Sequence, residues 1–387
     1  MSSKNEIDLY KGSPAPGLVP TNLLKDAAAV ALLDPKISEP GCDYGPEEGY
    51  LPLRENIAKW LTEVYEPVEP VVASRICITG GASQNLACLL QVFADPVQTK
   101  AIWLPQPTYH LVFQIFEDAG FYDHLRAIPE DMDGMDVETL EKELSRGEKD
   151  SPTEGGPHES ISKPPRPYRK IYQHIIYCVP THANPTGTTM TLSRREELIR
   201  VARRHNALIV SDDVYDLLSA GDSSSQRLPP RIVDLDRRLD GFQAPFGNSV
   251  SNGSFSKLIC PGCRVGWAEA AGALVYGLSQ CGSNISGGAP CQLMSTFINQ
   301  LLENGTLITH IEDTVIPACA RRFVAITTAI KKRLSPLGVT LQPDPEGTLL
   351  TGGFFVWLSL PSPLNSTEMG RFLQFLGTGY QSFFIED

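Results

Sequence analysis

The strongest constraint on the fold is a regular alternation of strand-like and helix-like segments between residues 75 and 269. Strands that alternate with helices of about 10–15 residues form βαβ units around a mainly parallel sheet. We therefore predict an α/β fold with three αβα layers. The predicted strands are residues 75–79, 101–104, 122–128, 174–179 and 207–211, and the predicted helices are 84–93, 108–119, 136–145 and 194–205, the last with its arginines facing solvent.

Other segments flank or interrupt this alternation. Residues 147–169 and 221–248 are rich in Pro, Ser and charged residues, which favours surface loops. Helical patterns are predicted at residues 21–33, 51–64, 291–304 and 308–334, and a strand is predicted at 352–360.

Composition excludes several classes of function. The 387-residue chain has a net charge of −12 and a pI of about 5.1, which argues against non-specific binding to nucleic acid or to anionic membranes. No apolar run approaches the roughly 20 residues that span a bilayer. The polar, acidic N-terminus is unlike a signal peptide, and nine scattered cysteines are typical of reduced thiols, so we expect a cytoplasmic protein.

Residues 253–264 carry side chains suited to one chemical site. A lysine amine becomes a nucleophile when burial or cationic neighbours lower its pKa, and Lys257 follows two small hydroxyl residues. Arg264 is permanently charged and suits a phosphate, while Ser254 and Ser256 add hydroxyl donors. This set is typical of a pyridoxal-phosphate site. The alternative is a glycine-rich surface loop with a solvated lysine.

Cys260 and Cys263 have the spacing of a redox pair or of half a zinc site. The sequence has no second Cys-x-x-Cys and no His pair to complete such a site. The favoured interpretation is therefore that Cys260 and Cys263 are two residues of a turn, and we expect no metal.

Further polar motifs follow predicted strands, where ligands of parallel sheets bind. Residues 80–84, Gly-Gly-Ala-Ser-Gln, lead into a helix N-terminus that can hold an anion, although any tight βα turn looks similar. Tyr109 can stack on a pyridine ring, although a lone tyrosine is more often core. Asn184 and Tyr215 can hydrogen-bond a phenolate oxygen. Asp212 can keep a pyridinium protonated, or can cap a helix together with Asp213.

The order and spacing of these motifs resemble those of the class I and II aminotransferases, which are fold type I pyridoxal-phosphate enzymes. The matching residues are 81–84, 107–109, 184–187, Asp212 with Tyr215, Ser254, Ser256, Lys257 and Arg264. The chain is also similar to a fungal branch related to the aminoadipate and kynurenine aminotransferases. The resemblance covers about residues 5–360. It implies an arm and part of a small domain at 1–45, a large cofactor domain at 46–285, and an interdomain helix with the α+β small domain at 286–387.

The resemblance also implies a role for each matching residue. Lys257 forms an aldimine with pyridoxal 5′-phosphate and later moves the Cα proton, and Asp212 pairs with the pyridine nitrogen. Asn184 and Tyr215 contact the phenolic oxygen, and Tyr109 stacks on the ring. The residues implied to hold the phosphate are Ala82, Ser83, Ser254, Ser256 and Arg264.

Two more residues are implied to lie at the substrate and subunit boundaries. Gly12 matches a glycine that lines the substrate pocket, which Asn184 also borders. Tyr44 matches a tyrosine that reaches the phosphate of the neighbouring subunit, which implies a homodimer. The implied substrates are an amino acid and a 2-oxo acid.

The end of the sequence departs from the family pattern. Only residues 361–387 follow the predicted strand 352–360, and Arg371 is their sole basic residue. The family's late arginine, which binds the substrate carboxylate, has no match. We expect an incomplete small domain, exposed apolar surface near Phe354, Val356 and Phe375, and weak transamination. A misread gene end is the alternative.

The cofactor motifs leave the reaction open. Transfer of an amino group to a 2-oxo acid is favoured. A pyridoxal-phosphate-dependent lyase or cyclase of secondary metabolism is one alternative, because the same motifs serve both chemistries. A catalytically weak homologue that only binds the cofactor is the other.

Overall fold

A computed structural model describes residues 12–149, 163–219, 228–241, 244–342 and 352–366 of the chain. The helices are α1 (Thr21–Leu33), α2 (Pro35–Cys42), α3 (Leu51–Tyr65), α4 (Ala82–Phe93), α5 (Leu111–Asp118), α6 (Val137–Lys149), α7 (Leu192–Arg204), α8 (Ile232–Asp236), α9 (Gly272–Ser279), α10 (Gly282–Gly287), α11 (Gln292–Glu303), α12 (Thr306–His310) and α13 (Ile316–Arg333). The strands are β1 (Ile76–Thr79), β2 (Ala101–Gln106), β3 (Leu125–Asp131), β4 (Gly134–Met135), β5 (His174–Cys178), β6 (Ala207–Asp212), β7 (Ser249–Ser254), β8 (Gly266–Ala270), β9 (Thr340–Gln342) and β10 (Trp357–Ser359).

An eight-stranded sheet has the strand order β1-β8-β7-β6-β5-β2-β3-β4. Strands β7, β6, β5, β2 and β3 run parallel, whereas β8 is antiparallel to both β1 and β7. Strand β1 therefore points the same way as the parallel strands. The carboxyl ends of β1, β7, β6, β5 and β2 consequently meet at one edge of the sheet, where ligands of α/β proteins bind.

Helices cover both faces of this sheet. Successive side chains of a strand point to opposite faces. In β6, Leu208 and Val210 pack in the larger apolar cluster, while Ala207 and Ile209 pack in a second one. A sheet that is buried on both faces produces the continuous apolar runs from which these strands were predicted. The three-layer, mainly parallel fold is thus confirmed.

Several predicted boundaries are wrong. The helix predicted at 108–119 begins at Leu111, and the strand predicted at 122–128 is Leu125–Asp131, because pairing with β2 sets its register. The helix predicted at 308–334 is interrupted by a π-helical segment, Ile311–Val315. Pro317 follows this segment at the start of α13 and has no N–H to continue an α-helical ladder. In the strand predicted at 352–360, only Trp357–Ser359 pairs, with β9.

The prediction of a surface loop at 221–248 is wrong for much of that segment. It contains α8, and Arg231 just before that helix is only 1% exposed. Arg231 forms ion pairs with Asp234 at 2.9 Å and with Glu269 at 2.7 Å, and its guanidinium lies over the Tyr65 ring. Charged residues can be buried when they are paired in this way, so composition alone was misleading. Residues 220–227 and 242–243 lie outside the described part, as do residues 150–162 of the other predicted loop.

Arg195 also corrects the sequence analysis, which placed the arginines of this helix in solvent. Its side chain is fully buried and donates to the carbonyls of Met190, Pro230 and Pro180 and to the Thr181 hydroxyl. It therefore ties α7 to the loop that follows β5.

The C-terminal prediction is tested only in part. Phe354 and Val356 are half-buried, and Phe354 packs edge-on against Tyr215 at 5.9 Å between ring centroids. Arg371 and Phe375 lie outside the described residues, and the domain boundaries stay a prediction. Within the described ranges, no helix is both long and apolar enough to cross a membrane.

Candidate active site

The edge of the sheet brings the polar motifs together. Asp212 is the last residue of β6, and the loop after β5 carries Asn184. Lys257 follows the end of β7, and Gly81 follows the end of β1. Because these strands point the same way, their carboxyl ends place the four motifs along one edge of the sheet.

Lys257 lies at this edge among the Gly12 backbone and two aromatic rings. Its Nζ donates to the carbonyl of Gly12 and lies 5.7 Å from the Tyr215 ring centroid and 5.8 Å from that of Phe354. Burial lowers the pKa of Lys257, and the nearby Asp212 carboxylate opposes that effect. A partly desolvated amine loses its proton more readily than a surface lysine, so it can serve as nucleophile or base. The alternative of a solvated lysine on a loop is wrong.

Asp212 presents one satisfied and one unsatisfied oxygen. Its Oδ2 accepts a 2.8 Å hydrogen bond from the Tyr177 hydroxyl. Its Oδ1 is buried and has no hydrogen-bond partner among the described residues. Burial raises the pKa of Asp212 to about 6, while the Tyr177 hydrogen bond and the Lys257 charge lower it. A buried oxygen without a donor is destabilising unless a ligand supplies one, so this carboxylate suits a protonated ring nitrogen.

Tyr177 is a site residue that the sequence analysis missed. It lies within the buried strand β5, where its register partner on β6 is Val210, and it looks like one more apolar residue. Burial is the main reason that the pKa of Tyr177 is raised well above its ordinary value, so its hydroxyl stays a donor. The available signal was its hydroxyl, because a buried tyrosine usually hydrogen-bonds a partner.

Asn184 and Tyr109 lie close enough to Tyr215 to shift its pKa. Burial and the Asp212 charge raise the pKa of Tyr215, while a side-chain hydrogen bond with Asn184 opposes them. Tyr109 lies near enough for its charge to raise the pKa of Tyr215 as well. The structure therefore brings these three predicted residues together beside Asp212.

Arg264 forms the candidate anion-binding end of the site together with residues of two loops. Its Nη1 donates to Ser256 Oγ at 3.2 Å, and its Nη2 donates to the carbonyl of Gly80 at 2.8 Å. Gly81 has φ of +97°, and a Cβ there would lie 2.7 Å from Arg264 Nη2. Helix α4 begins at Ala82, so unpaired backbone N–H groups face the same place. Such an arrangement suits a phosphate group.

Three other predicted phosphate ligands are Ser254, Ser83 and Tyr44. Ser254 Oγ accepts from the Ser256 backbone N–H at 3.2 Å, and Ser83 is exposed in the first turn of α4. The Asn252 side chain donates to the Ala82 carbonyl at 3.0 Å and fixes that turn. Tyr44 is 83% exposed, so its predicted role depends on a second subunit.

His182 is a second residue that the sequence analysis missed. Its ring Nε2 hydrogen-bonds Ser219 Oγ at 2.9 Å. Gly353 has φ of +67°, and a Cβ there would lie 2.6 Å from His182 Cβ, so only glycine fits this approach. The contact places Phe354 and Phe355 against Tyr215, each at 5.9 Å between ring centroids. The result is an aromatic wall beside Lys257, defined by Tyr215, Phe354 and Phe355.

The alternative role of Asp212 and Asp213 as helix caps is wrong. The segment that follows is a short 3-10 turn, Asp216–Leu218, and its N-cap is Tyr215. The carboxylate at the strand end, the partly desolvated lysine and the anion cradle together fit pyridoxal 5′-phosphate.

Comparison with known proteins agrees with this fit. The profile of the family described as "Aminotransferase class I and II" matches residues 19–354. The chain is 35% identical to an uncharacterized Saccharomyces cerevisiae protein, over 95% of this chain and 85% of the relative. It is 28% identical to aromatic-amino-acid aminotransferase 1 of Thermococcus litoralis, over 95% and 77%.

A solved structure resembles the fold over nearly the whole chain. Pyrococcus horikoshii kynurenine aminotransferase, whose crystal structure contains pyridoxamine phosphate, superposes with a TM-score of 0.75. It is 26% identical, and the match covers 95% of this chain and 79% of that one. The predicted family, cofactor and enzyme class are confirmed: this chain belongs to the class I and II aminotransferases and uses pyridoxal 5′-phosphate.

Proposed function

We propose that this aminotransferase moves an amino group from an amino acid to a 2-oxo acid with Lys257 as the proton-transfer residue. The observation that carries the proposal is the pairing of two charged groups at the carboxyl edge of the sheet. The buried Asp212 oxygen that has no partner among the described residues suits a ring nitrogen, and the charges of Lys257 and Asp212 shift each other's pKa.

Each residue has a separate task in this proposal. When bound, pyridoxal 5′-phosphate supplies an aldehyde carbon and a ring that accepts the electron pair left by the Cα proton. Lys257 provides the amine that bonds to the cofactor, then takes the Cα proton and returns it one atom away. Asp212 holds a proton on the ring nitrogen. Asn184 and Tyr215 hydrogen-bond the ring oxygen, and Tyr109 covers the ring face.

The residues that bind the phosphate fix the orientation of the cofactor. Arg264, Ser256 and the first turn of α4 are the proposed ligands, with Ser254 supporting Ser256. A rigid grip keeps the reacting carbon within reach of Lys257, because a small misplacement of reacting atoms lowers the rate strongly. The Gly12 carbonyl, which accepts from Lys257 Nζ, borders the space for the substrate.

The aromatic wall supports a proposal about the amino donor. Phe354, Phe355 and Tyr215 form an apolar surface on one side of the lysine. Aromatic side chains bury a large apolar area and prefer offset or edge-on ring contacts. We therefore propose an amino donor with a flat, apolar side chain. The Thermococcus litoralis relative, described as an aromatic-amino-acid aminotransferase, supports this choice.

We further propose a cytoplasmic homodimer that works in amino acid metabolism. The exposed Tyr44 ring supports the shared site, because a large aromatic at 83% exposure is available to a second subunit. All nine cysteines are free thiols, which supports a reducing compartment.

An absorbance measurement tests the proposal. The purified chain with added cofactor should show the visible band of a lysine-bound cofactor, and Lys257→Ala should lose it. Lys170→Ala is the matched control, because Lys170 is also partly buried but lies over the Tyr172 ring. A band that persists in Lys257→Ala would reject Lys257. A panel of aromatic, aliphatic and acidic amino donors with 2-oxoglutarate then tests the donor class, and faster turnover of acidic donors would reject it.

A further inference from the structure

Cys260 and Cys263 are paired thiols that the proposed amino transfer does not use. Cys260 precedes a single 3-10 turn, Pro261–Cys263, and Cys263 ends it, with the two sulfur atoms 3.2 Å apart. A disulfide bond is about 2.05 Å long, so the sulfurs need to approach by only about 1 Å. We propose that Cys260 and Cys263 form a thiol–disulfide exchange site for small disulfides of the oxidised-glutathione class, and that the bond tightens the grip on the cofactor phosphate.

The two thiols differ in access, which assigns them separate roles. Cys260 is half-buried and adjoins the exposed residues Pro261 and Gly262, whereas Cys263 is buried. A small disulfide therefore reaches Cys260 first. Burial raises the pKa of the Cys263 thiol to about 12, so it does not compete for the first attack. Cys263 is placed to resolve the product, because its sulfur is already in contact with that of Cys260.

The exchange balances without any other reactant. The Cys260 thiolate attacks one sulfur of the small disulfide, forms a mixed disulfide and releases one small thiolate. Cys263 then loses its proton to solvent, attacks the Cys260 sulfur and expels the second small thiolate. The two cysteines are oxidised by two electrons, and the small disulfide is reduced to two thiols. A dithiol reductant reverses both steps.

The turn is joined to the proposed phosphate ligand. Arg264 follows Cys263 directly, and its Nη1 donates to the Pro261 carbonyl at 3.1 Å as well as to Ser256. A bond between Cys260 and Cys263 closes the loop that contains this carbonyl. A preorganised ligand loses less freedom when it binds its partner. This coupling rests on the proposed role of Arg264, whereas the exchange chemistry does not.

Other cysteines of the chain provide controls. Cys88 and Cys281 both lie near the Ser283 hydroxyl, at 4.0 and 3.6 Å, but both are buried. Cys42 is exposed and is the last residue of α2. We expect Cys42 to form a mixed disulfide and nothing more.

Peptide mass mapping tests the exchange. The full chain is equilibrated with excess oxidised glutathione at mildly alkaline pH, alkylated and digested. Wild type, Cys42→Ser and Cys281→Ser should each give a 260–263 cross-linked peptide that has lost two hydrogens. Cys263→Ser should stop at a glutathione adduct on Cys260. Free thiols at both positions in wild type, or an adduct that never resolves, would overturn the exchange site.

Cofactor release tests the coupling. Oxidised wild-type holoenzyme should lose bound cofactor roughly threefold more slowly than reduced holoenzyme, because ordering the Arg264 side chain takes less free energy. A dithiol reductant should restore the faster rate, and Cys260→Ser should show one rate in both conditions. Equal rates in wild type would overturn the coupling. A chain that forms the bond yet binds no cofactor in either state would overturn the proposed function and leave the exchange site standing.

Discussion

Substitution of Tyr177 by phenylalanine should change how the enzyme responds to pH. Phenylalanine keeps the ring, which packs edge-on against Phe116 at 6.3 Å between centroids, and removes only the hydroxyl. That hydroxyl is the donor to Asp212 Oδ2. Without it, both oxygens of the buried carboxylate lack a protein donor among the residues described here, and the charged form of Asp212 becomes less favourable.

The size of the effect follows from the geometry. A hydrogen bond to a charged group contributes about 1.5–3 kcal/mol. About 1.4 kcal/mol corresponds to a tenfold change in an acid dissociation constant. At the lower limit, the acid dissociation constant of Asp212 therefore falls roughly tenfold, from a starting pKa of about 6. A charged Asp212 stabilises the protonated ring nitrogen, so cofactor affinity should rise with pH near 6 in wild type and near neutrality in the variant.

The assay is the dissociation constant of the cofactor, measured by absorbance from mildly acidic to mildly alkaline pH. Tyr172→Phe is the matched control, because that buried hydroxyl also donates one hydrogen bond, to the Gly247 carbonyl at 2.7 Å. Tyr172→Phe should lower stability without moving the pH midpoint of cofactor binding. If Tyr177→Phe also left the midpoint in place, Tyr177 would have only a packing role and the reasoning would be refuted.

Three further predictions concern stability and the phosphate cradle. The pKa of Asp212 is about 6 in the folded chain and 3.8 ordinarily, so its contribution to stability is full below pH 3.8 and is lost as pH rises through 6. Cofactor-free Asp212→Asn should therefore resist urea better than wild type at neutral pH, by on the order of 2–3 kcal/mol, with a smaller gain in mildly acid solution. Gly81→Ala should weaken cofactor binding at least tenfold, because a Cβ would meet the arginine at 2.7 Å, whereas Gly17→Ala, with open space around it, should leave the dissociation constant unchanged. Arg195→Met should lower the free energy of unfolding by about 3 kcal/mol, because it leaves buried carbonyl groups without a hydrogen-bond donor. Arg204→Met, at an exposed position, should change the free energy of unfolding by less than about 1 kcal/mol in the same denaturation assay.

The fold could be predicted from the sequence wherever local pattern and tertiary burial agree. Strand β6 has an apolar run because both of its faces are covered, so its limits were predicted almost to the residue. Prediction failed where a long-range contact decides the structure. Strand β3 takes its register from β2, and Arg231, the residue before α8, is buried in an ion pair with Glu269 on β8. No local window of sequence contains either partner.

In the candidate site, too, local patterns predicted some residues, and residues that depend on long-range contacts were missed. Asp212 ends a strand, and Asn184 and Lys257 follow strand ends. Arg264 lies in the connection from β7 to β8, and the order of these motifs was enough to group them. Tyr177 was missed because its hydroxyl acts across two neighbouring strands, from inside a run that looks wholly apolar. His182 was missed for a related reason. Its role depends on the close approach of Gly353, which is 171 positions away in the sequence.

The neighbouring acids Asp212 and Asp213 show what strand geometry adds to a motif. In the sequence, the two acids are adjacent and chemically identical. In the structure, Asp213 accepts hydrogen bonds from Ser211, at 2.5 Å, and from Ser251, so both of its oxygens are satisfied within the protein. Asp212 has a single donor in the described residues, Tyr177, and keeps one buried oxygen for a ligand. Side chains of extended backbone alternate between faces, so a single step past the end of β6 separates an acid that can bind a cofactor from one that bonds two serines.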